Sequence, residues 1–118
     1  MANPFNQVLD KLLKDTDAEG AIILSTDGLS IASELIDSRD EDRIAAMSAT
    51  ILSLGKKFAA ELDRGNLEQL YIKGDLGYIL FKGISDFAVL GIIVSNDTRL
   101  GLLFLQMKNA AEEIENLM

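Results

Sequence analysis

The stretch EDRIAAMSATILSLGKKFAAELD, residues 41–63, says more about the fold than any other part of the sequence. At about 100° per residue, its bulky apolar residues fall on one stripe of a helix, a stripe suited to packing on a sheet. Beside that stripe lies an arc of small residues, so the apolar surface is wider than one sheet contact requires. We therefore predict a long helix whose bulky stripe packs on the sheet, the stripe being Ile44, Met47, Ile51, Leu54, Phe58 and Leu62.

The arc of small residues predicts a second helix packed against this one. Gly55 stands in the middle of the helix, where it costs roughly 0.8–1.0 kcal/mol relative to Ala, a loss that is useful where another backbone approaches closely. The alternative is that these residues are simply good helix formers. We favour a seam between two copies of the chain, and we assign to this dimer interface the helix residues Ala45, Ser48, Ala49, Leu52, Gly55, Lys56 and Ala59.

Strand and turn signals flank the long helix on both sides. Before it, Asp27-Gly28 joins two apolar segments as the turn of a β-hairpin does. After it come three strand-like segments, the first two joined by Gly74-Asp75 as a two-residue turn in which Gly74 takes positive φ. The predicted elements are a helix from Asn3 to about Lys14, strands at 18–25 and 29–35, the helix 41–63, strands at 66–73, 76–82 and 87–95, and a helix capped by Asn96 or Asp97.

The strand composition predicts the order of the strands in the sheet. Residues 21–24 and 87–94 are apolar on both faces and belong in the centre, whereas 29–35 and 66–73 carry polar residues at intervals, as edge strands do. If each hairpin stays intact, the result is a five-stranded antiparallel sheet of order 2-1-5-4-3. Because its centre needs cover on both faces, we predict an α/β (α+β) sandwich, with the terminal helices on one face and the long helix on the other. Residues 1–118 then form a single domain.

The third strand is the edge that we expect to meet a second copy. It contains Leu67, Leu70, Tyr71 and Ile72 and no proline, so it offers unpaired N–H and C=O groups to another strand. Pairing with its own copy would join two sheets into one of ten strands and lay the two long helices side by side. We therefore add Leu67, Gln69 and Tyr71 to the predicted dimer interface.

The composition excludes many kinds of chemistry. The chain has 118 residues with neither Cys nor His, which removes thiolate nucleophiles, disulfides and the commonest zinc ligands. A formal net charge of -8 disfavours nucleic acid and anionic membranes as partners. No apolar run approaches the roughly 20 residues that a membrane-spanning helix needs. We expect a cytoplasmic protein that is not an enzyme and that holds no metal or cofactor.

The order of the elements resembles the roadblock/dynein light-chain family across essentially the whole chain. The resemblance also rests on AIILSTDGL at residues 21–29, on the Ala-rich long helix, and on LGLL at residues 100–103, where the last helix begins. It implies a homodimer or heterodimer built through the long helix and the third strand. It also implies a non-catalytic role as a dynein accessory subunit, a scaffold for small GTPases, or a GTPase-activating partner of a bacterial or archaeal Ras-like protein.

We therefore expect a homodimer that scaffolds or regulates a small Ras-like GTPase docked across the paired long helices. Arg39 and Arg43, near the start of the long helix, could supply a guanidinium in trans to a bound GTPase. Leu102 and Leu105, which lie off the main stripe of the last helix, are the other candidate partner contacts. The rival interpretation is a PAS- or GAF-like small-molecule sensor, which a cavity of about several hundred Å³ would favour. A large two-fold interface would favour the binding module.

Overall fold

A computed structural model describes residues 3–35 and 40–118 of the chain. Within these residues the helices and strands follow one another in the predicted order. The elements are α1 (Pro4–Thr16), β1 (Gly20–Ser25), β2 (Ser30–Glu34), α2 (Glu41–Glu61), β3 (Gln69–Gly74), β4 (Gly77–Gly83), β5 (Ala88–Ser95) and α3 (Leu100–Leu117).

The five strands form one antiparallel sheet of order β2-β1-β5-β4-β3, which confirms the predicted topology. The central strands β1 and β5 are buried along almost their whole length. Successive side chains of a strand point to opposite faces, so Ile22 and Leu24 enter the core under α2, whereas Ile23 enters the core under α1 and α3. The terminal helices therefore cover one face and the long helix covers the other, as predicted.

The long helix α2 packs on the sheet with only part of its bulky stripe, so the prediction is wrong for four of the six stripe residues. The other two, Ile44 and Ile51, are half-buried against the core under α2. Ala45, Ser48 and Leu52 are the residues of α2 that are buried. The reason lies in the sheet, whose face under α2 already carries large side chains such as Phe81, over which a helix face of small residues fits most closely. Four members of the bulky stripe are exposed instead: Met47, Leu54, Phe58 and Leu62.

Two glycines allow this close approach. A Cβ on Gly55 would lie 3.2 Å from Cδ2 of Leu67, so the helix rests on that side chain without a gap. Gly28, with φ of +94°, lies in the turn between β1 and β2, where a Cβ would be 3.3 Å from the Cβ of Ala49. The glycine that we had assigned to a contact with a second copy therefore serves a contact within the chain.

The turn between β3 and β4 is shifted by one residue from the prediction. Asp75 and Leu76 form the turn, and positive φ occurs at Gly77 (+157°), not at Gly74. Gly77 is required because a Cβ there would lie 2.2 Å from the carbonyl oxygen of Val94 on β5. The approach of β5 to this turn therefore decides which of the two glycines takes the positive φ.

The last helix, α3, also begins later than predicted. Its N-cap residue is Arg99, which makes no side-chain capping bond, so the prediction of Asn96 or Asp97 as the cap is wrong. The side-chain amide of Asn96 instead donates a hydrogen bond of 2.6 Å to the carbonyl oxygen of Asp75. That bond ties the loop before α3 to the turn between β3 and β4.

The start of α1 matches the prediction and supports a first test. Oδ1 of Asn3 accepts a hydrogen bond of 2.9 Å from the backbone N–H of Phe5, and Pro4 occupies the first helical position. We expect Asn3→Ala to lower the free energy of unfolding by about 1 kcal/mol, because that N–H loses its partner. Urea denaturation followed by circular dichroism at a fixed protein concentration measures the change. Asn3→Asp keeps the acceptor and is the control, and an equal loss in both variants would contradict the cap assignment.

Candidate functional site

A row of exposed apolar side chains runs along α2, and we call it the outer face of α2: Met47, Leu54, Phe58 and Leu62. The exposed fractions of these residues are 64, 63, 61 and 56 %. Their spacing of seven, four and four positions places them on one side of the helix. Single exposed apolar residues are common on protein surfaces, but a contiguous row of them marks an interaction surface. The same residues were noticed in the sequence as an apolar stripe and were wrongly assigned to the core.

An apolar groove of about 620 Å³ lies between α2 and the part of the sheet that α2 leaves uncovered. Ile72 on β3 and Ile79 on β4 are 37 and 40 % exposed on the sheet side of this groove. The outer face of α2 contributes Met47 and Leu54 to the helix side. The groove and the outer face therefore form one continuous apolar surface.

The chemistry of the groove favours apolar contacts over recognition of a polar ligand. Ser48 and Thr50 supply its side-chain hydroxyls. The Thr50 hydroxyl already donates a hydrogen bond of 3.0 Å to the carbonyl oxygen of Ala46 within the helix. Ligand pockets normally carry a few well-placed polar groups that fix the orientation of the ligand. The lining of this groove is better suited to the apolar side chains of another protein.

The two edges of the sheet differ in how they are protected. At β2, the side-chain amide of Asn6 donates hydrogen bonds of 2.9 Å to the carbonyl oxygen of Ser33 and of 3.0 Å to Oε1 of Glu34. At β3, the strand pairs with β4 on one side, and between described residues no hydrogen bond reaches the outer side of residues 69–72. Unpaired N–H and C=O groups on an edge strand are a template for another strand. The open edge adjoins the groove, because Ile72 belongs to both.

The predicted dimer interface lies largely within the chain itself. Several of its residues pack against their own sheet or loops: Ala45, Ser48, Ala49, Leu52, Gly55 and Leu67. Ala45, Ser48 and Leu52 are buried in this way, which leaves almost none of their surface for contact with a partner. The remaining assignments stay predictions: Lys56 and Gln69 are exposed, Ala59 is half-buried, and Tyr71 is 56 % exposed with its ring centroid 6.4 Å from that of Phe104.

Of the predicted partner-binding residues, Arg43 lies apart from Leu102 and Leu105 in the structure. Arg39 lies outside the described residues. Arg43 is exposed, and its guanidinium forms an ion pair of 2.9 Å with Oδ1 of Asp40 in the first turn of α2. Such an exposed pair contributes little to stability, so it leaves Arg43 free to exchange partners. Leu102 and Leu105 are 48 and 53 % exposed on α3, on the other face of the sheet, and their role stays a prediction.

Leu29 and Phe87 are exposed apolar residues that the sequence did not single out. Leu29 is 69 % exposed in the turn before β2, and Phe87 is 75 % exposed just before β5. The sequence placed both at the ends of strands, where partial burial is expected. The signal that could have identified them is a large apolar residue directly next to Asp-Gly or Ser-Asp turn residues.

No helix in residues 3–35 and 40–118 is long and apolar enough to cross a membrane. The same residues contain no group of three or more Asp and Glu side chains arranged so that they could hold a metal ion.

Comparisons with known proteins agree on one fold. Residues 4–94 match the model of the Roadblock/LC7 domain family. The uncharacterized protein MJ1340 of Methanocaldococcus jannaschii is 34 % identical over 110 residues, which are 93 % of this chain and 96 % of that protein. Myxococcus xanthus MglB has a TM-score of 0.90 at 24 % identity, over 96 % of this chain and 93 % of that chain. An MglB structure described as having a tetrameric arrangement has a TM-score of 0.87 at 20 % identity, over 98 % and 90 % of the two chains.

Proposed function

Because the chain belongs to the Roadblock/LC7 domain family, we propose that it is a non-catalytic module that pairs with a second copy and regulates a small Ras-like GTPase. The observation that carries the proposal is the outer face of α2, which lies beside an apolar groove and an unpaired strand edge. In this proposal the second copy covers all three. The outer face thereby replaces the buried small residues as the centre of the dimer interface.

Burial of apolar surface supports the pairing. Fully burying a large aliphatic or aromatic side chain stabilises by roughly 1.5–3 kcal/mol, so the outer face contributes on the order of several kcal/mol per copy before the entropic cost of association. Two-fold symmetry lets the same surface of two chains meet, with the apolar residues of one α2 against the groove of the other copy and β3 beside β3. The MglB structure described as having a tetrameric arrangement supports the pairing, because that protein has the same fold.

The regulatory part of the proposal is supported by family membership and by the residue types in the chain. The resemblance described above implies scaffolds or activating partners of small GTPases. The sequence contains no His or Cys, which leaves carboxylates, hydroxyls, Lys and Arg as reactive groups. A paired module with few catalytic groups acts by holding the switch loops of a GTPase in one nucleotide state.

The test is GTP turnover by each small Ras-like protein encoded in the same genome, measured with and without this chain. We expect the turnover of at least one of them to change by about tenfold or more, which corresponds to about 1.4 kcal/mol in the activation free energy. Size-exclusion chromatography of the same mixtures reports co-elution. If no GTPase co-elutes and none changes its turnover, the GTPase proposal is wrong, and a scaffold or dynein-type accessory role replaces it.

The groove also favours a second candidate, a PAS- or GAF-like sensor of a small apolar ligand. Its volume of about 620 Å³ is in the range of known ligand pockets. Native mass spectrometry of the purified protein separates the two candidates. An apolar ligand bound to a single chain would support the sensor, whereas a ligand-free pair of chains would support the dimeric module.

A further inference from the structure

Two residues of opposite charge stand at the two ends of the outer face of α2. Arg43 lies in the first turn of the helix, Glu61 is its last residue, and both are exposed. They are 18 positions apart, about five helical turns, so they lie on the same side of α2. Leu52 is nine positions from each, about two and a half turns, and is buried against the sheet. The two charges therefore point away from the sheet, along the rim of the outer face.

Two copies of α2 that run antiparallel about a two-fold axis would bring opposite ends of the helix together. If the axis crosses the helices near Leu52, Arg43 of one copy lies opposite Glu61 of the second copy, and symmetry repeats this contact. The same register brings Met47 of one copy opposite Phe58 of the other, within the outer face. The charges at the rim and the apolar residues of the outer face therefore favour the same alignment.

The contacts of α2 with the sheet give the same position for the axis. A Cβ on Gly55 would lie 3.2 Å from Cδ2 of Leu67 and 3.9 Å from Cδ2 of Leu70. One residue earlier in the helix, Leu54 lines the apolar groove together with Ile72. The middle of α2 thus lies over the middle of β3, the strand whose edge is open. One two-fold axis can therefore pass through the midpoints of both elements, as symmetric pairing of both requires.

Arg43 is already held at the rim in a way that allows a second ion pair. Its guanidinium donates to Oδ1 of Asp40 at 2.9 Å, and 68 % of the Arg43 side chain is exposed. Because a guanidinium has five N–H donors, it can bind Glu61 of a second copy at the same time. Charges that flank an apolar seam between paired helices determine which partner is chosen and in which orientation.

We infer that Arg43 and Glu61 form reciprocal ion pairs between two copies of the chain, and that these pairs make the chain select its own copy in an antiparallel register. The inference rests on the pairing in the proposed function and adds the residues that determine the choice of partner. A different chain with carboxylates at both positions would gain one of the two contacts and meet repulsion in the other, so it would compete poorly with a second copy.

The test uses Arg43→Glu and Glu61→Arg, each of which places like charges opposite each other in its own dimer. We expect the dissociation constant of each dimer, measured by sedimentation equilibrium, to rise about tenfold or more, because symmetry repeats every lost pair. Both changes in one chain restore opposite charges and should return the constant to within about threefold of the wild type. Lys108→Glu and Glu112→Lys make the same changes in net charge on exposed positions of α3, on the other face of the sheet, and are the controls.

A mixture of the two single variants separates charge complementarity from a general loss of stability. Each contact in the mixed pair joins a carboxylate of one chain to a guanidinium of the other, so native mass spectrometry should find about nine in ten dimers mixed, whereas random pairing gives about one half. Random pairing, single variants as tight as the wild type, or a double variant that stays weak would each overturn the inference while leaving the pairing of the wild type intact. A wild-type chain that is monomeric at micromolar concentration would overturn both.

Discussion

Leu54→Glu should convert the proposed dimer into a monomer of about 12.9 kDa. Leu54 lies in the middle of the outer face and is 63 % exposed, so the core of the single chain loses nothing. In the proposed dimer, the same change brings a carboxylate from each copy into an apolar contact, where an unpaired charge is strongly unfavourable. Light scattering after size-exclusion chromatography at micromolar concentration gives the mass.

Ser53→Glu is the matched control for this variant. Ser53 precedes Leu54 in α2, is exposed, and takes the same change in charge, but it lies off the outer face. We expect it to remain a dimer. If Leu54→Glu also keeps the mass of two chains, the outer face is not the interface, and a wild-type chain of about 13 kDa in solution would remove pairing from the proposal altogether.

Gly77→Ala should cause a large loss of stability. The new Cβ would lie 2.2 Å from the carbonyl oxygen of Val94, and φ at this position is +157°. Backbone strain of about 1–3 kcal/mol adds to an overpacking cost of similar size, so we expect the free energy of unfolding to fall by about 3 kcal/mol or more. Urea denaturation at one fixed protein concentration measures the loss.

Gly74→Ala tests the same turn without the clash. Its Cβ would lie 3.8 Å from the carbonyl oxygen of Gly77, an ordinary contact distance, and its φ is not positive. We expect a loss of less than about 1 kcal/mol. Similar losses in the two variants would show that β4 and β5 adjust freely at this end, which would contradict the close approach.

The topology was predictable from the sequence because each step depends on local patterns. The Asp27-Gly28 turn, the apolar centres of β1 and β5 and the polar spacing of the edge strands together determine the order of the sheet. The turn at Gly77 was missed because both ends of that turn carry a glycine, and only the approach of Val94 distinguishes them.

The orientation of α2 could not be predicted from periodicity. A helix with apolar residues on two adjoining sides can place either side on the sheet, and the choice depends on the side chains opposite it. Those side chains, Phe81 among them, come together only when the strands pair. Gly55→Leu would not test a helix seam, because the new side chain would press on Leu67 of the same chain. The candidate site was missed for the same reason, since large apolar residues were assumed to be core.

The different protection of the two sheet edges sets a limit on growth of the assembly. A sheet whose edges were both open could add one chain after another and polymerise into a ribbon. In the described residues, Asn6 engages the edge strand β2, so in the proposed dimer the sheet extends at β3, and further growth at β2 is disfavoured once two β3 strands have met. A single amide in the first helix thereby favours a finite, closed particle over a fibre.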